Sequence, residues 1–218
     1  MAFKARAGAG GLLAQKIFSA HPEFVGNKNV VVLGIPRGGV VVAASVSKAL
    51  RVPLDVLVVR KLGVPHHPEF AFGAVDLDGN AVINGDTVWQ LGLTDSQIES
   101  VKEKEFVEAK RREESFRKGK GILEISGKVA IIVDDGVATG ATSEAAVRYV
   151  MSKDPKKVIL ATPVIAADTL NELNSKFEIL EVIYLEAPKI FAAVGQFYEN
   201  FPQVTDGEVT DLLGSNTV

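Results

Sequence analysis

Short runs of apolar residues that end in acidic or glycine-rich turns constrain the fold of this chain more than any other feature. The clearest run is Val129–Val133, which leads directly into Asp134 and Asp135. A short run with an apolar side chain at every position is typical of a strand buried on both faces, as in a parallel sheet. A loop of small residues follows, and residues 143–151 have the spacing of a helix. The stretch therefore predicts a strand, two carboxylates, a loop and a helix N-terminus.

The loop after the carboxylates has the composition of an anion-binding loop. Small residues let backbone N–H groups approach an anion closely, and the following helix N-terminus adds a positive dipole. Two carboxylates would repel a lone phosphate, but they suit a ligand that also carries sugar hydroxyls or a divalent metal. An ordinary capped turn is the alternative, and it does not explain two adjacent carboxylates. The chemistry therefore predicts a sugar phosphate, held by Gly136, Val137, Ala138, Thr139, Gly140, Ala141 and Thr142.

Other apolar runs alternate with helical patterns, which indicates a doubly wound α/β fold with a mainly parallel five-stranded sheet. One run precedes a glycine-rich turn that contains Arg37, and another ends at Arg60 and Lys61. Ligands bind at the C-terminal ends of strands in such sheets. We therefore expect these cations to lie near the acidic pair. The runs, including the acidic one, are residues 29–34, 54–60, 129–133, 157–163 and 178–185.

Residues 129–142 resemble the phosphoribosyl-pyrophosphate (PRPP) signature of the type I phosphoribosyltransferases, which is an apolar strand, two acids and a small-Thr-Gly-small-Thr loop. The stretches GIPRGG, VRKLGVPHHPEFAFGAV and AAVGQFYENFPQVTDGEV extend the resemblance over nearly the whole chain, to a sparsely characterised microbial branch of that family. The resemblance implies a catalytic core over residues 1–186 and a small C-terminal hood over 187–218. Within the core, residues 62–120 would form an insertion with a flexible loop, a β-hairpin and a helix.

The resemblance implies an enzyme that transfers the 5-phosphoribosyl group from PRPP to a nitrogenous base or similar acceptor, with release of pyrophosphate and Mg²⁺ as cofactor. Asp134 and Asp135 would hold the ribose hydroxyls and help to place Mg²⁺. The loop that follows them would hold the 5′-phosphate. In the family the loop equivalent to the Arg37 turn holds pyrophosphate, often through a non-proline cis peptide. The implied pyrophosphate site is Arg37, Gly38, Gly39, Arg60 and Lys61, and the implied catalytic residues are Arg37, Lys61, Asp134 and Asp135.

The acceptor stays open at this stage. Phe191 or Tyr198 is expected to stack on a base, and the loop at 62–70 is expected to close over the site. Relatives that act on 6-oxopurines commonly have an Asp as general base where this chain has Ala138, which argues against a hypoxanthine or guanine enzyme of that pattern. The alternative function is a regulatory module that binds PRPP or a nucleotide without catalysis.

Composition narrows the partners and the location. The formal net charge of −3 argues against a nucleic-acid-binding surface, and no run approaches 18 apolar residues. We therefore expect a cytoplasmic protein without nucleic-acid or membrane partners, and a homo-oligomer is possible. Residues 94–118 predict a charged helix with a capping box at Ser96 and Glu99. Its basic residues, Arg117 among them, are expected to face solvent.

Overall fold

The computed structural model describes residues 2–65, 67–119, 121 and 123–215, without the side chains of 67–70. The strands are β1 Val30–Gly34, β2 Leu54–Val56, β3 Arg60–Val64, β4 His67–Val75, β5 Ala81–Ile83, β6 Val129–Val133, β7 Lys157–Val164 and β8 Glu181–Glu186. The α-helices are α1 Arg6–Ala20, α2 Gly38–Leu50, α3 Gly85–Gln90, α4 Asp95–Arg117, α5 Ala141–Met151, α6 Ala167–Lys176 and α7 Asp206–Ser215. Two short 3₁₀ helices cover Pro22–Phe24 and Val194–Phe197.

A five-stranded parallel sheet in the order β2-β1-β6-β7-β8 forms the centre of the protein. Every residue of β1 and β6 is buried, because successive side chains enter cores on opposite faces of the sheet. The core on one face is built with α1 and α2, and the core on the other face with α4, α5 and α6. This architecture confirms the predicted doubly wound α/β fold.

The register of the two central strands aligns the loops that follow them. Gly34 at the end of β1 lies opposite Val133 at the end of β6. The N–H of Ile35 continues the ladder and donates to the carbonyl of Val133 at 2.8 Å. The glycine-rich turn after β1 therefore begins beside the acidic pair after β6.

The strand predicted over residues 54–60 is divided in the structure. The parallel strand β2 ends at Val56. The Leu57 N–H still donates to the carbonyl of Gly34 at 2.9 Å, and residues 57–59 stay buried outside any strand. Arg60 then begins β3, which belongs to a separate antiparallel sheet in the order β3-β4-β5. A run of apolar residues records burial, and here burial continues after the hydrogen-bonded ladder has ended.

The loop predicted over residues 62–70 is also wrong for its described backbone, which pairs β3 with β4 in a hairpin. His66 and the side chains of 67–70 lie outside the described residues. The β-hairpin predicted within the insertion is confirmed as the pairing of β4 with β5 on either side of Asp78, and it lies outside the main sheet.

Helix α4 differs from its predicted form at both ends. The capping box consists of Thr94 and Gln97, two residues before the predicted pair, with the Thr94 N–H donating to Gln97 Oε1 at 2.9 Å. Arg117 is buried, not solvated, and its NH1 group donates to both oxygens of Asp55 at 2.5 Å. The partner lies 62 residues away in β2, so the local charge pattern of the helix could not reveal it.

The two ends of the described chain pack together. The N–H of Phe3 donates to the carbonyl of Phe197 at 2.7 Å, and the carbonyl of Phe3 accepts from the N–H of Glu199 at 2.8 Å. The rings of Phe3 and Tyr198 lie in one apolar cluster. Helix α7 instead buries Val209 in the main core. No helix among the described residues is long and apolar enough to cross a membrane.

Candidate functional site

A cleft of about 750 Å³ lies at the C-terminal ends of β1 and β6. Both predicted binding loops contribute to its wall, and so does the start of β3. Helix α4, which the sequence analysis did not connect with a site, forms a further part of the wall. The predicted site residues that line the cleft are Arg37, Gly38, Arg60, Lys61, Asp134, Asp135, Gly136 and Thr142.

The two adjacent carboxylates have different environments. Asp134 Oδ1 accepts a hydrogen bond from the N–H of Asp135 at 2.8 Å. Burial, and then the negative charge of Asp135, raise the pKa of Asp134 well above its usual range, while Lys61 acts in the opposite direction. Asp135 Oδ2 accepts from Arg6 Nε at 2.6 Å. Asp135 is therefore ion-paired with Arg6, whereas Asp134 holds its proton more readily than an ordinary aspartate does.

The glycine pair of the Arg37 turn allows the two loops to touch. A β-carbon on Gly38 would collide with Asp135 Oδ2, and one on Gly39 would lie 2.9 Å from Asp134 Cα. The Pro36–Arg37 peptide is cis, a feature that the resembled family often shows in this loop. The glycines thus serve first to bring the start of α2 against the acidic pair.

Arg37 is the cation that this turn presents. Its NH1 atom lies 3.6 Å from Asp206 Oδ1, at the start of α7, and 39% of its side chain is exposed. That buried Asp206 oxygen has no hydrogen-bond donor among the described residues. A long, half-exposed ion pair of this kind leaves the guanidinium free to engage a ligand in the cleft.

The structure separates the roles of the neighbouring cations Arg60 and Lys61. Arg60 donates from Nε and NH2 to Glu105 Oε2 at 2.9 and 2.6 Å, so its charge is used to attach β3 to α4. Lys61 is exposed, lines the cleft and has no ion-pair partner within the described part of the chain. Lys61 is therefore the better placed of the two to meet an anionic ligand.

The loop before α5 presents hydrogen-bond donors that lack acceptors. Backbone N–H groups from Thr139 to Ser143 donate to no other residue in the described ranges, as expected for the first turn of a helix. The buried hydroxyl of Thr142 has no partner there either. Buried donors are normally satisfied, so the Thr142 hydroxyl and the neighbouring N–H groups are donors available to a ligand.

The conformation of this loop depends on Gly140. Its φ of +77° is a left-handed value, and a β-carbon there would lie 2.7 Å from Thr169 Cγ2. Thr139 and Ala141 line a second cavity of about 390 Å³, whereas Thr142 lines the cleft. The buried Val137 pairs with Ile165, and this bridge fixes the start of the loop.

Neither aromatic residue expected to stack on a base lines the cleft. Tyr198 is buried, with Phe3 and Phe201 rings at centroid distances of 5.4 and 5.0 Å. Burial raises the pKa of Tyr198, so its hydroxyl is protonated and donates to the carbonyl of Asp135 at 2.6 Å. Phe191 packs on Phe197 at 4.9 Å. The geometry contradicts base stacking by Tyr198 and gives it a structural position.

Sequence reasoning missed several residues of the site. Arg6 contacts the acidic pair from α1, and Lys104, Glu105 and Val101 line the cleft from α4. Lys104 is exposed and, like Lys61, makes no ion pair with a described residue. No local signal distinguishes Lys104 among the many charges of α4. Only the three-dimensional packing of the insertion reveals it.

The acidic pair fits a metal that arrives with a phosphate ligand. No group of three or more His, Cys, Asp or Glu residues that could hold a metal ion is found in the described ranges. Mg²⁺ commonly takes one or two protein carboxylates and completes its shell with water and substrate phosphates. Asp134 and Asp135 at the cleft wall supply that kind of donor set.

The fold and the cleft define a doubly wound α/β protein with a ligand site at the C-terminal edge of its parallel sheet. A sequence model of the phosphoribosyl transferase domain matches residues 4–199. The chain therefore belongs to the phosphoribosyl transferase family, which confirms the resemblance read from its motifs.

Individual relatives agree with this assignment. A protein of Mycobacterium tuberculosis strain H37Rv, named a putative phosphoribosyl transferase, is 45% identical over 211 residues, or 97% of this chain. The chain spans about half the length of the curated relatives it matches, since the match covers 46% of theirs. The crystal structure of TT1426 from Thermus thermophilus is 38% identical, with a TM-score of 0.78 and 98% of each chain covered.

A more distant solved structure shares the fold alone. The AQ2163 protein from Aquifex aeolicus is 14% identical, with a TM-score of 0.54 over 84% of this chain and 74% of its own. The same chain architecture is therefore kept at low sequence identity.

Proposed function

We propose that this protein transfers the 5-phosphoribosyl group from PRPP to a nitrogenous acceptor and releases pyrophosphate. The observation that carries the proposal is the meeting of three kinds of group in one cleft: donors without acceptors before α5, a carboxylate pair, and the cations Arg37 and Lys61. A phosphate, a sugar with free hydroxyls and a pyrophosphate match these groups in turn. PRPP contains all three.

The proposed binding mode follows from the same contacts. The N–H groups at the start of α5 and the Thr142 hydroxyl bind the 5′-phosphate. Asp134 and Asp135 accept hydrogen bonds from the ribose hydroxyls. Arg37 and Lys61 bind the pyrophosphate. Mg²⁺ held near the acidic pair would supply further positive charge to the phosphate oxygens when it is bound.

The proposed catalysis is electrostatic. C1 of the ribose loses its bond to the pyrophosphate oxygen and forms a bond to the acceptor nitrogen. During this exchange positive charge develops on the ribose ring and negative charge on the leaving pyrophosphate. The carboxylate of Asp135 stabilises the positive charge, and the cations Arg37 and Lys61 stabilise the negative charge. Asp135 is positioned before the reaction by its ion pair with Arg6, so this carboxylate needs little reorganisation.

Turnover assays test the proposal and separate it from its alternative. The chain is incubated with PRPP and Mg²⁺ and with a panel of purine, pyrimidine and other nitrogenous acceptors, and released pyrophosphate is measured. Release with at least one acceptor, above the rate with PRPP alone, supports the transferase. PRPP binding without turnover over the panel would favour a regulatory module. This is the second candidate, because Ala138 stands where relatives that act on 6-oxopurines have a carboxylate as general base.

A further inference from the structure

We propose that Arg6 is a positioning residue that orients Asp135 toward the ribose hydroxyls, so that helix α1 contributes to the sugar specificity of the cleft. The inference rests on the proposed function and extends it. Arg6 is the first residue of α1, and neither its position nor its local sequence indicates a role in a site 129 residues away.

The guanidinium of Arg6 is fixed by three different contacts. Its Nε donates to Asp135 Oδ2 at 2.6 Å, and its NH1 donates to the carbonyl of Pro202 at 2.7 Å. Its Cζ lies 3.6 Å from the centre of the Phe201 ring. Only 10% of the Arg6 side chain and 14% of that of Asp135 are exposed. The Arg6 guanidinium is bound both along its edge and on its face, so it has little freedom to move. It differs in this respect from the side chain of an exposed ion pair.

The ion pair uses one oxygen of Asp135 and leaves the other. Oδ2 accepts from Arg6, whereas no N–H or hydroxyl group of the described residues donates to Oδ1, and the side chain lines the cleft. Tyr198 holds the carbonyl of the same residue at 2.6 Å. With its backbone and one carboxylate oxygen held, Asp135 can offer its remaining oxygen in a single direction.

The available space favours the same orientation. A β-carbon on Gly38 would collide with Asp135 Oδ2 and lie 2.7 Å from Arg6 Nε. The ion pair is thus packed directly against the turn that carries Arg37, and Oδ2 has no room to move toward it. Loss of Arg6 would leave Asp135 free to rotate about its side-chain bonds and would weaken its fit to a ribose hydroxyl, with no direct change at the phosphate loop.

The test compares sugars that differ at the hydroxyls. Affinities for ribose 5-phosphate, 2-deoxyribose 5-phosphate and xylose 5-phosphate are measured by calorimetry. Discrimination is defined as the affinity for ribose 5-phosphate divided by the affinity for whichever of the other two sugars the wild-type chain binds more weakly. A hydrogen bond to a charged group contributes about 1.5–3 kcal/mol, so wild-type discrimination is expected to be about tenfold or more. Arg6→Ala and the similarly sized Arg6→Gln should reduce it to about threefold or less. Affinity for the rejected analogue should change by less than about twofold.

Two controls separate positioning from a general structural effect. Lys4→Ala removes an exposed cation from the same segment and should leave discrimination unchanged. In the background of Asp135→Asn, a second change of Arg6→Gln should have no further effect on discrimination, because Arg6 acts through Asp135. Thermal unfolding establishes that each variant is folded, and Arg6→Gln replaces Arg6→Ala if the latter is not.

Several results would overturn the inference. Wild-type discrimination in folded Arg6→Gln is one, and an equal loss of affinity for all three sugar phosphates and for inorganic phosphate is another. If the wild-type chain binds the sugar phosphates but does not distinguish them, Arg6 has no such role, while phosphate binding stands. If it binds none of them, the proposed function fails and the inference fails with it.

Discussion

The two sheets of this protein supply the cleft with different groups by different physical means. In the parallel sheet, β1 and β6 are buried along their whole length, and the loops after them carry Arg37, the glycines, the acidic pair and Thr142. The antiparallel sheet begins with Arg60 and Lys61, of which the first is half-buried and the second exposed. The acids, Arg37 and Thr142 therefore stand on an apolar core, whereas Lys61 comes from the smaller sheet.

Ion pairs attach elements of the insertion to one another and to the parallel sheet. Arg60 pairs with Glu105 across β3 and α4, and Arg117 pairs with Asp55 across α4 and β2. A buried ion pair is costly to form, but removal of one partner is strongly destabilising because it leaves the other charge buried. The comparison teaches that the position of Arg60 and Lys61 at the cleft depends on a few specific contacts, which single substitutions can break.

The largest expected effect is on stability, and it follows removal of Arg117 from its buried ion pair with Asp55. Arg117→Ala leaves Asp55 unpaired and should lower the free energy of unfolding by about 3–5 kcal/mol, measured by urea denaturation. Arg112→Ala removes a more exposed partner of Glu108 on the same helix and should cost less than about 1 kcal/mol. If both variants lost similar stability, the insertion would not depend on its buried pair.

The next effect lies in the loop of the parallel sheet. Gly140→Val should weaken ribose 5-phosphate binding by about 100-fold or more, because several charge-assisted hydrogen bonds are disturbed together. Helix α5 should survive, since its stability comes mainly from its packed face. Gly127→Val is the matched control: its φ is +70°, and a β-carbon there meets no atom within 4 Å. A folded Gly140→Val chain with wild-type affinity would contradict the anion-site assignment.

A smaller effect distinguishes the two cations of the insertion. Lys61→Ala should weaken pyrophosphate binding by about tenfold with little change in stability, since Lys61 has no ion pair to lose with a described residue. Arg60→Ala should weaken it by less than about threefold and should lower stability, because it frees Glu105. Calorimetric titration with pyrophosphate and thermal unfolding of both variants provide the comparison. The reverse order of affinities would assign the pyrophosphate contact to Arg60.

The sequence predicted the parallel sheet better than the insertion for a physical reason. A strand such as β6 is buried on both faces, so its apolar run and its boundaries coincide. The run at 54–60 is also mostly apolar and buried, but its strand ends at Val56 because β2 is an edge strand whose chain then leaves the sheet. Hydropathy reports burial and does not report hydrogen-bond pairing.

The site was predictable to the extent that its chemistry is local. The acidic pair and the Thr142 loop are adjacent in sequence, and the register of β1 with β6 brings Arg37 beside them. Arg6 reaches Asp135, and Lys104 reaches the cleft, from helices whose sequences carry no motif for the site. The burial of Tyr198 depends partly on the ring of Phe3, which is distant in sequence, so its predicted contact with a base had little local evidence against it.

The central claim is that the two carboxylates at the end of β6 recognise the sugar of PRPP. Calorimetric titration of PRPP with Mg²⁺ into the wild-type chain and into Asp134→Asn/Asp135→Asn tests it most directly, with thermal unfolding of the same samples. We expect saturable binding by the wild-type chain and a loss of at least about 30-fold in the folded double variant, since the hydrogen bonds of the ribose hydroxyls with the ion-paired carboxylate of Asp135 and with the carboxyl group of Asp134 are both weakened. Equal PRPP affinity in the two folded proteins would contradict it.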